Sequence, residues 1–166
     1  MLRALALATA LLLASSAQAQ PGRAHLPAVG GVAFGATYAS AQETLGSGFK
    51  VGAGADGART LVGRGAFIGS NFNLVYVFSK AGKLSEIRAE AVMRSEELGA
   101  CHERWEQALG GLIAQVGRPD RHEESQGTRT QFATASFDFA DGGQIDALLA
   151  GCYLRLTFDR APVRLS

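Results

Sequence analysis

Imidazole and carboxylate fall together at two places in this chain of 166 residues, His102-Glu103 and His122-Glu123-Glu124. A histidine beside a carboxylate can pass a proton, and two such pairs brought face to face can hold a metal ion. Either chemistry requires the segment around residue 122 to fold back on the start of the helix that carries His102. Local composition points the other way. His102 lies off the main apolar stripe of its helix with Glu106 one turn on, and His122 sits among Asp, Arg and Ser. Both are expected on solvated surface, so the sequence predicts no catalytic residue, no cofactor and no metal ligand.

Other reactive constellations are thin. G-x-S-x-G and H-E-x-x-H do not occur, which leaves no nucleophile-elbow or zincin motif. Gly52-Ala-Gly-Ala-Asp-Gly57 has the spacing of a dinucleotide fingerprint, but that motif works only between a strand and a helix. Here strand-like residues follow it, so it reads as a hairpin turn with Asp56-Gly57 at the tip. Trp105, Phe137 and Phe139 could line a ligand pocket between helix and sheet, yet their spacing makes core the simpler reading. Cys101 and Cys152 are the two cysteines, and an even count in an exported chain reads as one disulfide.

The elements that must position these residues follow from periodicity. Thr37 can cap a short helix through Leu45, closed by Gly46. The Gly-rich stretch from Gly46 to Gly69 predicts short twisted strands carrying Leu61, Val62, Phe67 and Ile68. Phe72 to Phe78 is apolar at nearly every position and reads as a strand covered on both faces. Residues 84–93 are mostly helix formers, but Ile87, Ala89, Ala91 and Met93 alternate with Arg88, Glu90, Val92 and Arg94, and that period of two predicts a strand. Its charged face, with Glu86, is expected to be wet.

Ser95, Glu96 and Glu97 begin a long helix. Leu98, Cys101, Trp105, Ala108, Leu109, Leu112, Ile113 and Val116 share its apolar stripe, and Gly117 and Pro119 end it. Asp120 to Gly127 reads as a polar loop. Strands follow at 128–139, 144–149 and 152–158, the last with Cys152, Leu154, Leu156 and Phe158 on one face. Cys101 and Cys152 both point inward, so the disulfide is expected to pin helix to sheet. At an offset of 61 residues, Tyr76, Phe78, Gly82, Leu84 and Ile87 fall on Phe137, Phe139, Gly143, Ile145 and Leu148, suggesting tandem helix-then-hairpin repeats at 31–93 and 95–158.

Arg3, the apolar run Ala4 to Ala14 and Ala17-Gln-Ala19 form the three parts of a signal peptide over residues 1–19. Residues 20–30 read as a flexible mature start, and 31–166 as one α+β domain, a long and a short helix on antiparallel sheet. Without Arg3 the chain has 15 Lys+Arg against 15 Asp+Glu, a balance that disfavours nucleic acid. No segment has the ~20 apolar residues of a transmembrane helix.

Gly35-Ala-Thr-Tyr-Ala-Ser-Ala-Gln-Glu-Thr-Leu-Gly46, with the hairpins after it, resembles small periplasmic modules: the SmpA/OmlA (BamE-type) outer-membrane assembly proteins and the β-lactamase-inhibitor-protein fold. The resemblance covers 31–93 and, more loosely, 95–158, and implies short helices packed on an antiparallel sheet. SmpA-type proteins are lipoproteins, and this chain has no lipid-bearing Cys after its leader, so tethering does not carry over. No inhibitory loop matches the other family. The expectation is an exported, non-enzymatic envelope or periplasmic protein that binds another envelope protein or a small ligand. The alternatives are an apolar-ligand carrier using Trp105, Phe137 and Phe139, and a hydrolase or metal-site enzyme.

Overall fold

The computed structural model describes residues 23–54, 57–93, 98–126 and 131–160. The leader, Asp56, Arg94 and the Ser95 cap lie outside them. The described chain is α+β: helix α1 (Tyr38–Leu45), strands β1 (Lys50–Ala53), β2 (Arg59–Phe67), β3 (Ser70–Phe78) and β4 (Leu84–Val92), helix α2 (Leu98–Val116), and strands β5 (Arg121–Gln126), β6 (Gln131–Asp138), β7 (Gly143–Ala150) and β8 (Tyr153–Arg160). All eight strands join one antiparallel sheet in the order β1-β2-β3-β4-β8-β7-β6-β5.

Each half is therefore a helix followed by a four-strand meander, and the halves meet where β4 pairs with β8. This arrangement corrects the offset of 61. That offset lays β3 on β6 and β4 on β7, whereas the strand order makes β3 equivalent to β7 and β4 to β8. One amphipathic hairpin had matched its neighbour's counterpart, because inward alternation looks alike in any of them. The helix closures do correspond, since Gly46 and Gly117 both take positive φ at helix ends.

Thr37 caps α1 by accepting from the Ser40 amide. Period outweighs propensity in β4, where Ile87 and Ala89 are buried between partly exposed charges. In β3 the expectation of two covered faces fails. Phe72, Leu74, Tyr76 and Phe78 are buried, but Asn71 and Asn73 are exposed and Val75 and Val77 only half-buried. Ala41 of α1 and Trp105, Ala108 and Leu112 of α2 share one buried cluster with Phe72, Leu74, Tyr76 and Phe78, and the alternate residues of β3 stay outside it. The Gly-rich stretch also differs from expectation: Arg59 to Phe67 is one nine-residue strand, with Ile68 in the turn at φ 44°. The tip of its hairpin folds onto the covered face. Phe67 meets Phe158 edge-on, and Ile68 packs so close to Gly111 of α2 that a Cβ there would come within 2.7 Å.

Residues ahead of the first helix join the core. Leu26 and Val29 are buried, and the Val29 carbonyl accepts from the Tyr76 hydroxyl at 3.1 Å. Arg23 lies over the Phe137 and Phe139 rings, donates to the Val116 carbonyl that ends α2, and pairs with Asp120. Cys101 and Cys152 form a disulfide with Cα atoms 5.2 Å apart. Cys101 is buried on α2, while Cys152 is half-buried in the turn before β8. The bond ties the first turns of α2 to the sheet and closes a long loop, a constraint worth about 2–5 kcal/mol.

Candidate functional site

Two regions gather side chains that core packing does not need. The first follows from β5, the segment expected to be a loop. As an edge strand paired only to β6, it alternates. His122 lies opposite Ala135 and Glu124 opposite Ala133, and those alanines are buried under α2. Directly opposed residues of antiparallel strands share a face, so His122 and Glu124 turn toward the helix. There they meet His102, Trp105 and Glu106. The His122 ring stacks on the Trp105 indole with centroids 6.4 Å apart. Its Nε2 lies 2.9 Å from Glu124 Oε1, and the indole N–H donates to the same oxygen at 3.1 Å. The Trp105 hydrogen bond, seconded by His122, holds the Glu124 carboxyl below the usual carboxylate range. His102 and Glu106, four apart on α2, have Nε2 and Oε1 at 3.7 Å.

The fold-back that the sequence made a condition for chemistry is thus present. The signal was available, because His122 and Glu124 are spaced by two between exposed polar residues. No apolar residue marked the inward face, so the period passed for a polar loop.

The second region is the face of the sheet opposite the helices. Register places Glu86, Arg88, Glu90 and Val92 of β4 beside Asp159, Thr157, Arg155 and Tyr153 of β8. Beyond β8 lie Gln144, Asp146, Leu148 and Ala150 of β7, then Asp138, Ser136, Thr134 and Phe132 of β6. One row, Val92–Tyr153–Ala150–Phe132, is apolar across four strands, about 14 Å at the usual strand spacing. Val92 is 72% and Phe132 47% exposed. The next row, Glu90–Arg155–Leu148–Thr134, is mostly polar. Farther along, Arg88 pairs with Glu86, and Ser136 donates to Asp146 at 2.7 Å. Burial, with Glu86 and Asp146 nearby, pushes the Asp159 carboxyl above its ordinary value. Burial and the Glu90 hydrogen bond do the same to the Tyr153 phenol.

Beside Val92 the sheet opens. β3 and β4 pair from Phe78 only as far as Asn73 with Glu90, and past that point a cleft of about 410 Å³ lies between them, lined by Asn71, Phe72, Val92, Met93 and, from α2, Ala100 and Arg104. The pocket expected from Trp105, Phe137 and Phe139 is instead filled: the first two are fully buried, and Phe139 is 7% exposed. The Gly52–Gly57 segment lies at the β1–β2 hairpin, where the Gly54 amide donates to the Ala58 carbonyl at 2.8 Å, and strand β2 is the next element. Among the described residues no helix is long and apolar enough to cross a membrane. No family model, curated protein or solved structure matches the chain.

Proposed function

We propose that this chain is an exported, non-enzymatic module that acts by contact, and that the uncovered face of its sheet receives the partner, another protein of the same compartment. The observation that carries this is the row Val92–Tyr153–Ala150–Phe132, an apolar strip open to solvent with Glu90 and Arg155 at its border. Protein interfaces favour this arrangement of an apolar, aromatic centre with a polar rim. Stiffness supports the same reading. From Tyr153 to Phe132 the strip lies on strands paired on both sides, over a core fastened by a disulfide, and a rigid surface loses less entropy on association.

A double change, Val92→Asp with Phe132→Asp, tests it. Both side chains are exposed, so the variant should fold with the native circular dichroism spectrum. Chemical crosslinking in the native envelope should then lose the adduct that the unaltered protein forms. An undiminished adduct from the folded variant would contradict the proposal.

A small ligand in the cleft beside Val92 is a second reading, favoured by the divergence of β3 and β4 and by the mixed lining of Phe72, Asn71 and Arg104. Native mass spectrometry of protein taken from the envelope distinguishes it. A retained small molecule would favour the carrier.

A further inference from the structure

We propose that His102, Glu106 and Glu124 form a binding site for one divalent first-row transition-metal ion, with Trp105 and His122 holding Glu124 in place. The site lies on the helix side of the molecule, so it stands independently of the contact surface on the open face.

Two backbone periods create it. A spacing of four puts His102 and Glu106 on one side of α2, and a spacing of two points His122 and Glu124 of β5 toward that helix. The result is a ligand set drawn from two consecutive elements, a helix and the strand that folds back on it. One donor atom from each of His102, Glu106 and Glu124 lies within 4.8 Å of the others, and the His102–Glu106 separation is 3.7 Å. Donors around a tetrahedral ion with bonds of about 2.1 Å stand about 3.4 Å apart. Side-chain rotations alone can close the remaining gap, since the groups are on the surface and Glu106 is more than half exposed.

The donor chemistry narrows the ion. One imidazole with two carboxylates suits zinc and its neighbours better than calcium or magnesium, which prefer all-oxygen shells. The two carboxylates would balance a divalent charge. Both cysteines are in the disulfide, so no thiolate competes for the ion. The indole N–H on Glu124 Oε1 leaves the other carboxylate oxygen for coordination, and such orienting hydrogen bonds are a regular part of metal sites. Three protein ligands leave a fourth position for water. The ion would bridge α2 to β5, the edge strand with one neighbour, from a helix turn that also carries the disulfide, since His102 directly follows Cys101.

The experiment is a Zn²⁺ titration of the disulfide-bonded protein by calorimetry, with Mg²⁺ and Ca²⁺ in parallel. Trp105 is the only tryptophan and touches Glu124, so its fluorescence reports occupancy directly, by a change with Zn²⁺ and by quenching with Co²⁺. The expected result is one equivalent of Zn²⁺, a raised unfolding temperature and no saturable binding of Mg²⁺ or Ca²⁺. His102→Ala and Glu106→Gln are changes on the outer side of α2 that should preserve the fold. Each should weaken binding by at least about tenfold, the scale on which even supporting residues act. His25→Ala should not, since His25 is engaged with Asp141 elsewhere. Absence of saturable Zn²⁺ binding, binding that survives both α2 changes, or binding lost with His25→Ala would each overturn the proposal.

Discussion

The two faces of the one sheet are written by alternate residues of the same strands, and they have opposite characters. On the helix side, Leu74, Ala89, Leu156, Ala147 and Ala135 stand side by side across five strands, as do Tyr76, Ile87, Phe158, Ile145 and Phe137, and all are buried. One residue along, the other face carries Arg88, Thr157, Asp146 and Ser136, then the exposed strip that ends at Phe132. The first face supplies the folding energy. The second is free to vary in chemistry because stability asks little of it, and that freedom is what a binding surface needs.

The sharpest way to break this comparison is to exchange adjacent residues. Ile87→Asp would bury a carboxylate among Tyr76, Phe158 and their neighbours, and should cost about 4 kcal/mol or more, enough to unfold many domains. Arg88→Gln removes one partly exposed ion pair and should cost about 1 kcal/mol or less. Denaturant melts of the two variants measure the difference, and similar losses would mean that the faces are not distinct.

Cys152→Ala comes next. The disulfide fastens the cover to the covered face, so its loss should lower stability by about 2–5 kcal/mol and leave the register of the open strip intact. Amide hydrogen exchange would show protection lost first along α2. Loss spread evenly over β4 and β8 would blur the comparison.

Tyr76 gives a smaller, pH-dependent effect. Burial pushes its phenol up to about 12 from 10. The neutral form is thus favoured in the folded state, and this contribution is complete below pH 10. Above pH 10 the unfolded chain ionises first, so stability falls until the folded pKa is passed, by roughly 3 kcal/mol for two units. At neutral pH, Tyr76→Phe should cost about 1–2 kcal/mol, because the Val29 carbonyl loses its donor. The native protein should therefore lose its advantage over the variant between pH 10 and 12. Parallel curves for the two proteins would contradict the burial of Tyr76.

Much of the fold was legible because burial leaves a period. β4 was readable against its propensity from Ile87, Ala89 and Ala91, α2 from its stripe, and the disulfide from the pair of cysteines, although Cys152 lies in the turn before β8 and not on an inward strand face. β5 was not, since its inward residues are His122 and Glu124, and a polar inward face hides the period of two. β3 misled in the opposite sense: Val75 and Val77 made the strand apolar on both sides, although only one is covered. The open strip escaped notice because Val92, Ala150 and Phe132 are ordinary residues in three separate strands, and only strand order makes them neighbours. The burial of Leu26 and Val29 left no readable period, since two apolar residues beside Pro27 are too few to set one.

The most direct test of the open face as the contact surface is photo-crosslinking in the cells that make the protein, with a photoreactive amino acid placed at one position at a time. Positions 132, 150 and 155 sample the open strip and its border, and 103 and 107 sample the exposed side of α2. The account predicts one and the same adduct from 132, 150 and 155 and none from 103 or 107. Adducts from the helix positions, with the strip silent, would contradict it.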